Sequence, residues 1–432
     1  MVVLVVGSGG REHALCWKLA QSPRLTRLAA APGNPGIARD AACVAVSVDD
    51  HDGLVRLAER ERADLVVVGP EIPLVAGLAD RLRDKGFAVF GPGAAAAALE
   101  GSKAFAKDLM ARAGIPTARY ATFTDPARAR AFCRELGAPV VVKADGLAAG
   151  KGAIVCATLD EADAAVARCM ERREFGAAGG TVVVEEFLRG EEASFFAVSN
   201  GTHCVALGAA QDHKTIFDGD RGPNTGGMGA FTPVASVGVE LHARIMRTIV
   251  EPTFAAIARE GAPYRGVLYV GLMLTGEGPK VIEYNVRFGD PECQAILAAM
   301  DGDLLPLLDA AARGETLPAV GVSARAAVCV VLASGGYPDR YVTGLPIDGI
   351  ADAERVPGVV VFHAGTAQRE DRLVTSGGRV LGVTATAASV ADAIDSVYTA
   401  AARIRFEGMH YRRDIGRRKA AHETTSPQER RP

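Results

Sequence analysis

A chain of 432 residues has room for about three domains, and 49% hydrophobic with 23% charged residues are globular proportions that exclude a disordered chain or a coiled-coil rod. A formal charge of −3 offers no global attraction to nucleic acid or to an anionic membrane, so recognition by charge has to be local. No apolar run approaches the ~20 residues of a membrane helix, and no basic segment with a cleavage site opens the chain, so the expectation is a soluble cytoplasmic protein with neither membrane nor nucleic-acid partners.

Eight cysteines are scattered without a C-x-x-C pair, which argues against a zinc site or a disulfide framework and leaves small buried thiols. The 48 basic residues are 39 Arg and only 9 Lys, and five of the lysines (103, 107, 143, 151 and 214) fall between positions 103 and 214. A lysine kept in a loop of such a chain marks a place where a compact ammonium is wanted. Lys107 reads instead as a solubilising residue on a helix face.

From 1 to about 100, apolar runs at 2–6, 28–31, 65–68 and 88–90 alternate with helical stretches such as 11–21 and 73–85, which predicts a parallel α/β layer. Each run ends in a Gly/Pro loop (7–10, 32–36, 69–71, 91–93), and such loops line up along the ligand-binding edge of a parallel sheet. The first, Gly7-Ser8-Gly9-Gly10-Arg11-Glu12, begins as G-x-G but has Glu12 where a dinucleotide fingerprint needs its third glycine. It reads equally as a helix N-terminus free to hold an anion such as a sugar phosphate, or as a tight turn that needs glycine for packing.

A helix over 102–113 closes at Gly114 ahead of Pro116. A small α+β unit follows: a helix between Asp125-Pro126 and Gly137, strands at 139–143 and 153–156, a helix over 159–172 and a strand at 181–186. Its loop, Lys143-Ala144-Asp145-Gly146-Leu147-Ala148-Ala149-Gly150-Lys151-Gly152, is not a Walker A sequence. Its glycines nonetheless free N–H groups to cradle phosphate beside two lysines. Glu185-Glu186-Phe187-Leu188 and Glu192 belong to a strand leaving the sheet. Main-chain groups and carboxylates there suit an adenine edge and a ribose, although an acidic solvated turn is the default reading.

Strands at 194–199, 205–208, 266–275 and 279–286 then surround a glycine-rich loop over 208–234, with five glycines between 219 and 229. A loop so long is functional when it occurs in a compact domain, and its charged and amide residues point to anion capture. His213 reads as a surface histidine. In Glu283-Tyr284-Asn285-Val286-Arg287-Phe288-Gly289-Asp290-Pro291-Glu292, strand alternation projects Glu283, Asn285 and Arg287 together and turns Ile282, Tyr284 and Val286 the other way. A carboxylate beside an amide oxygen suits Mg²⁺ held partly by phosphates, and Arg287 suits a transferring phosphoryl group or a carboxylate. The bland alternative is an intrastrand Glu283/Arg287 pair of little weight. The remainder has strands at 326–333, 359–363 and 379–385, a helix over 389–405 and a polar tail, 417–432, expected to be disordered.

In this order the segments resemble the ATP-grasp ligases and, within them, the phosphoribosylamine glycine ligase (glycinamide ribonucleotide synthetase) family, from Val2 to about Ile415. The strings that carry the resemblance are Gly9-Gly10-Arg11-Glu12-His13-Ala14, Leu99-Glu100-Gly101-Ser102-Lys103-Ala104-Phe105, 143–152, 222–229 and 287–292. It implies an α/β multidomain ATP-grasp fold: an N-terminal parallel α/β domain (1–101) on the substrate side, and a central ATP-grasp domain (102–122 plus 190–325). A small lid lobe (123–189) and a C-terminal α+β domain (326–416) complete it.

The resemblance also implies ligation of glycine to 5-phosphoribosylamine, with ATP as co-substrate, through glycyl phosphate, in de novo purine biosynthesis. It places Lys103, Lys143, Gly150, Lys151 and Gly152 on the phosphates, Glu185, Glu186 and Leu188 around adenine, and Glu192 at the ribose. Glu283 and Asn285 are the implied ligands of Mg²⁺, with Mn²⁺ as an alternative. Arg287 sits at the reacting centre with Asp212 and Lys214. Gly9, Gly10, Gly33, Asn34 and Glu71, then Asn224, Thr225, Gly226 and Asp290, are the implied substrate contacts. The partners are small molecules and the chain is expected to be a monomer. Because acyl phosphates hydrolyse, the glycine loops 146–152 and 219–229 are candidate lids. The competing readings are another ATP-grasp ligase or carboxylase with a different acid and amine, a nicotinamide oxidoreductase, which Glu12 opposes, and a non-enzymatic nucleotide-binding protein, which Glu283, Asn285 and Arg287 oppose.

Overall fold

The computed structural model describes residues 1–148, 152–321 and 323–417. Five short apolar strands form a parallel sheet in the order Ala42–Cys43, Arg27–Pro32, Val2–Gly7, Leu65–Val68 and Ala88–Phe90. Residues Val3, Leu4, Val5 and Val6 are fully buried, as in any parallel sheet covered on both faces by its crossover helices. The helix expected at 73–85 is two helices, Glu71–Val75 and Leu78–Asp84. Gly77 separates them at φ +85°, a conformation in which an L side chain is strained.

The helix Lys103–Ala113 starts where Ser102 Oγ accepts the Phe105 N–H at 3.1 Å and stops at Gly114 in the left-handed region. Beyond it lies an antiparallel sheet in the order Tyr120–Phe123, Val182–Glu186, Val140–Ala144 and Ala153–Cys156. Two helices cover it. Pro126–Leu136 is capped by Asp125, which accepts the Ala127 and Arg128 N–H groups at 2.7 and 3.0 Å. Leu159–Val166 continues through a wider turn at Ala167–Glu171, short of the expected 172. This unit has its own core, including Val140, Val142, Cys156, Ala162, Val182 and Val184.

The largest sheet is antiparallel and runs Gly278–Asn285, Arg265–Thr275, Glu191–Asn200, Cys204–Asp212, Gly229–Thr232, Ala326–Ala333, Arg379–Ala387 and Val359–His363. Its strand Gly229–Thr232 pairs with Cys204–Asp212 on one side and with Ala326–Ala333 on the other. One sheet therefore continues past residue 325 into the C-terminal strands. A single core then unites the parallel sheet with this one through Leu4, Val66, Leu109, Phe195, Leu268 and Tyr284.

The segment 208–234 is not the open loop that its glycines suggest. It finishes the strand Cys204–Asp212, forms the hairpin Thr215–Phe217/Arg221–Asn224 and returns as Gly229–Thr232. Its pairing partner lies about a hundred residues downstream, and local composition carries no sign of it. At the C-terminus the helix is Val390–Ala401, shorter than expected, and starts where Ser389 Oγ accepts the Asp392 N–H at 3.1 Å. Arg417, expected in the tail, stacks its guanidinium 4.9 Å from the Tyr398 ring, and residues 418–432 lie outside those described. No helix among the described residues is long and apolar enough to cross a membrane.

Candidate active site

The carboxyl edge of the parallel sheet, the antiparallel lobe and the large sheet enclose a cavity of about 700 Å³. Four of the nine lysines, Lys103, Lys107, Lys143 and Lys214, line it. Lys103 and Lys107 share a face of the helix Lys103–Ala113 at a spacing of four residues. Lys103 Nζ donates to the Gly146 carbonyl at 2.8 Å, joining that helix to the glycine loop. Lys143 Nζ donates to the Ile282 carbonyl at 3.0 Å and lies 3.0 Å from the Glu185 carboxylate.

Lys107 departs from its expected place on a solvated face. Its side chain is 2% exposed and lies 3.0 Å from the same Glu185 carboxylate. Glu185 is accordingly buried between two ammonium groups and is not part of an acidic solvated turn.

The strand Gly278–Asn285 forms another wall. Its register shifts opposite Gly271 and Leu272, so Val281 and Tyr284 face the core while Ile282 lines the cavity. This corrects the uninterrupted alternation expected there, because one extra residue in a strand moves its neighbour to the other face. From 283 onward Glu283, Asn285 and Arg287 all line the cavity, while Tyr284, packed in the core, borders it as well. Burial pushes the Glu283 carboxyl up, but Lys214, Lys143, Lys103 and Arg287 outweigh it and hold it below the usual carboxylate range.

Arg287 lies 3.3 Å from Glu71 and 3.4 Å from Glu100, and donates to Asn285 Oδ1 at 3.1 Å. Its ion-pair partners thus come from the parallel-sheet side of the cavity and not from Glu283, the bland alternative for this strand. Burial pushes the Glu100 carboxyl up to about 7 against the pull of Arg287.

Asp212 ends the strand Cys204–Asp212, and Lys214 follows it with Nζ 2.9 Å from Glu192 Oε2. Burial pushes the Asp212 carboxyl up, helped by Glu292, Glu192 and Glu283, against the pull of Lys214. Burial would lower Lys214, yet Asp212 and Glu192 hold it well above the usual ammonium value. The C-terminal strands complete the wall: Arg379 donates to the Gly226 and Asp290 carbonyls at 2.5 and 2.6 Å, and Tyr337 Oη accepts the Gly226 N–H at 3.0 Å.

Most of the residues singled out from the sequence meet here. Lys103, Lys143, Gly152, Glu185, Glu186, Leu188, Glu192, Asp212, Lys214, Asn224, Thr225, Gly226, Glu283, Asn285, Arg287, Glu71 and Asp290 all line the cavity. Gly150 and Lys151 lie outside the described residues.

Gly9, Gly10, Gly33 and Asn34 are not among the lining residues. The helix N-terminus expected to be free for an anion is occupied by the chain itself. Glu12 Oε2 accepts the Gly9 N–H at 2.6 Å, and Asp290 Oδ2 accepts the Arg11 N–H at 3.1 Å. At Gly10 a Cβ would stand 2.5 Å from Gln294 Nε2, and at Gly33, with φ +72°, 2.4 Å from Cys43 Sγ. Asn34 donates to the Ser8 and His363 carbonyls at 2.8 and 2.9 Å and accepts from Gly36 and Ile37 at 2.8 and 2.9 Å.

The sequence reading gave no role to Arg11, Glu100, Glu292, Tyr337, Tyr341 or Arg379, which also line the cavity. The first three stand inside the quoted strings, where the signal was available. The last three lie outside every motif.

Family models match in tandem along the chain: the phosphoribosylglycinamide synthetase N domain over residues 1–100, its ATP-grasp (A) domain over 101–293 and its C domain over 327–418. The chain belongs to the phosphoribosylglycinamide synthetase family. Among curated relatives, the phosphoribosylamine glycine ligase of Rhizobium meliloti (strain 1021) is 55% identical over 426 residues, covering 98% of this chain and 100% of that one. That of Brucella melitensis biotype 1 is 54% identical over 418 residues, covering 96% and 97%. The crystal structure of phosphoribosylamine glycine ligase from Thermotoga maritima aligns with a TM-score of 0.84 at 35% identity, covering 96% of this chain and 100% of that one. Across the matched domains, the cavity draws Arg11 and Glu71 from the N domain, the four lysines and Glu283 from the A domain, and Tyr337 and Arg379 from the C domain.

Proposed function

We propose that this chain ligates glycine to 5-phosphoribosylamine, giving glycinamide ribonucleotide, ADP and phosphate through glycyl phosphate. It is an ATP-grasp ligase of purine biosynthesis. The observation that carries the reading is the meeting of Lys103, Lys143 and Lys214 with Glu283, Asn285 and Arg287 around one cavity in a chain of this family.

A carboxylate is a poor electrophile, and transfer of the γ-phosphoryl group to glycine's carboxylate oxygen turns that oxygen into a leaving group. The amine of phosphoribosylamine then attacks the acyl carbon, the C–O bond to phosphate breaks and the amine proton is lost. Such chemistry needs positioning and charge stabilisation more than a protein nucleophile, which suits a wall of Lys, Arg and carboxylates. Lys103 and Lys143 hold the ATP phosphates, Glu185, Glu186 and Leu188 border the adenine, and Glu192 takes the ribose. Arg287, oriented by Glu71 and Glu100, faces the reacting groups together with Asp212 and Lys214. Glu71, Asn224, Thr225, Gly226 and Asp290 contact glycine and the ribosylamine.

ATP-grasp ligases use ATP with a divalent cation, and the donors here fit one. Glu283 is held ionised by its neighbours and Asn285 offers an amide oxygen, a hard-oxygen pair that leaves further positions to phosphate and water. Glu283 and Asn285 would hold Mg²⁺, with Mn²⁺ as an alternative, and the cation would supply neutralisation of charge on the phosphoryl group. We infer that the enzyme works on small molecules as a cytoplasmic monomer.

The test is ADP release by purified protein with Mg-ATP and glycine, with and without freshly generated phosphoribosylamine, using alanine, serine and ribose 5-phosphate as controls. Release that requires glycine and the ribosylamine together is expected. Release with another acid or amine, or none from folded protein, overturns the substrate assignment.

A further inference from the structure

The hairpin Thr215–Phe217/Arg221–Asn224 sits between two groups of cavity residues, Lys214 before it and Asn224, Thr225 and Gly226 at its end. Two strands this short do not hold themselves in place in water. The C-terminal segment 410–415 fastens them. The side chain of Arg412 is wholly buried, and all five of its N–H groups are used. Nε and Nη2 donate to Asp414 at 2.8 Å each, Nη2 also donates to Asp220 Oδ1 at 2.9 Å, and Nη1 donates to the Thr215 carbonyl and Oγ1 at 3.1 and 2.8 Å.

The backbone adds further ties. Asp414 Oδ2 accepts the Gly219 N–H at 2.8 Å, Asp218 Oδ1 accepts the Arg413 N–H at 2.8 Å, and His410 Nε2 lies 2.8 Å from the Ile216 carbonyl. Residues 215–220, which lead into the glycine stretch 219–229 expected as a lid, are therefore tied to the C-terminal segment. Arg412 itself is not among the cavity-lining residues. Within the hairpin, the fixed Thr215 leads back to Lys214, whose carbonyl accepts the Thr225 N–H and Oγ1–H at 2.7 and 2.8 Å.

We propose that Arg412 is a positioning residue for the acid and amine substrates: by fastening the hairpin it fixes Lys214, Asn224, Thr225 and Gly226 in the cavity. The proposal rests on the function proposed above. A site that is correctly placed only a fraction of the time binds its ligand more weakly by that fraction. Releasing the hairpin therefore weakens most the ligands it contacts and reaches ATP only through the Lys214–Glu192 pair at the ribose, since the proposed phosphate contacts Lys103 and Lys143 stand on other elements. Lysine cannot replace Arg412, because an ammonium lacks the planar fork that reaches Thr215, Asp220 and Asp414 together.

The experiment compares the unmodified full chain with Arg412→Lys and Asp220→Asn, measuring kcat, the separate KM values for glycine, phosphoribosylamine and ATP, and the thermal midpoint. In Arg412→Lys, KM for glycine, phosphoribosylamine or both is expected to rise about tenfold while KM for ATP stays within about twofold. Asp220→Asn shifts the same constants in the same direction by less. Unshifted KM values with kcat falling only in step with the folded fraction, or an equal rise for ATP, overturn the proposal. Asp220 is 57% exposed and its replacement leaves Arg412 in place, so this variant decides if Arg412→Lys does not fold. Absence of turnover by the unmodified chain overturns the functional reading and this proposal with it, whereas turnover with unshifted constants overturns this proposal alone.

Discussion

Nζ of Lys107 lies 3.0 Å from the Glu185 carboxylate, with 2% and 4% of the two side chains exposed. Lys107 also donates to Thr117 Oγ1 at 2.7 Å, and Thr117 donates to the Val281 carbonyl at 2.7 Å. With Lys143 on the same carboxylate, this network joins the helix Lys103–Ala113 to the antiparallel lobe and to the strand that carries Glu283. Burial draws the Lys107 ammonium down to about 8 against the pull of Glu185.

Removing Lys107 leaves the buried Glu185 with Lys143 as its remaining ammonium partner and takes away the donor to Thr117 Oγ1. Lys107→Met is therefore expected to destabilise the protein by about 1–2 kcal/mol, less than the loss of an unshared buried pair, read as a fall in the urea midpoint at unchanged m-value. An unchanged midpoint would return Lys107 to the solvated role that its helix position suggests.

Glu283→Ala is expected to lower kcat by at least about 10²-fold with the far-ultraviolet circular dichroism preserved, because it removes a cation ligand and the counter-charge for the lysines around it. ADP release at saturating Mg-ATP checks it. Near-normal turnover would remove the assignment of Glu283 to the cation.

Asn34→Ala tests a residue whose implied substrate role contrasts with its four hydrogen bonds to Ser8, Gly36, Ile37 and His363. Its loss leaves buried backbone groups unpaired and is expected to cost about 2–3 kcal/mol of stability. Denaturant unfolding supplies the number. A rise in substrate KM without loss of stability would restore the binding role.

Acid is expected to loosen the contact between the parallel-sheet domain and the C-terminal strands. His13 Nδ1 accepts the His363 N–H at 2.7 Å, so His13 is neutral there. Burial, with His363 and Arg39, draws the His13 ring down to about 3. Burial and Arg39 draw the His363 ring down to about 4. The unfolded chain takes up these protons near 6.5, so their contribution is intact above that pH and is lost as pH falls toward 4, by about 1–2 kcal/mol per ring at pH 5. Between pH 7 and 5 the unmodified chain should lose more stability than His13→Gln. Parallel losses in the two proteins would sink the idea.

The strands of the parallel sheet could be read from four apolar runs and the loops that end them, because each is continuous, short and bounded by Gly or Pro. The loop 208–234 misled because its glycines look like slack, whereas the strand Gly229–Thr232 is made by pairing with Ala326–Ala333. The site follows the same division. Glu283, Asn285 and Arg287 could be placed on one face by alternation alone, but the shift beside Ile282 depends on the register of the neighbouring strand. Asn34 and the glycines at 9, 10 and 33 carried the same motif signal as Glu71, and nothing local distinguished close packing from contact with the cavity.

By itself the sequence determined the chemistry available: scarce lysines gathered in one stretch, a carboxylate and an amide alternating with an arginine, and glycine loops at strand ends, in an order shared with one family. Composition and local periodicity record these directly. Only the tertiary structure decided which charges are buried together. Lys107 and Lys143 meet Glu185, Arg287 turns to Glu71 and Glu100, and Arg412 reaches back nearly two hundred residues to hold the hairpin beside the cavity. Such pairings join residues far apart in the chain, and their energy depends on distance and desolvation, neither of which is written in any local run of residues.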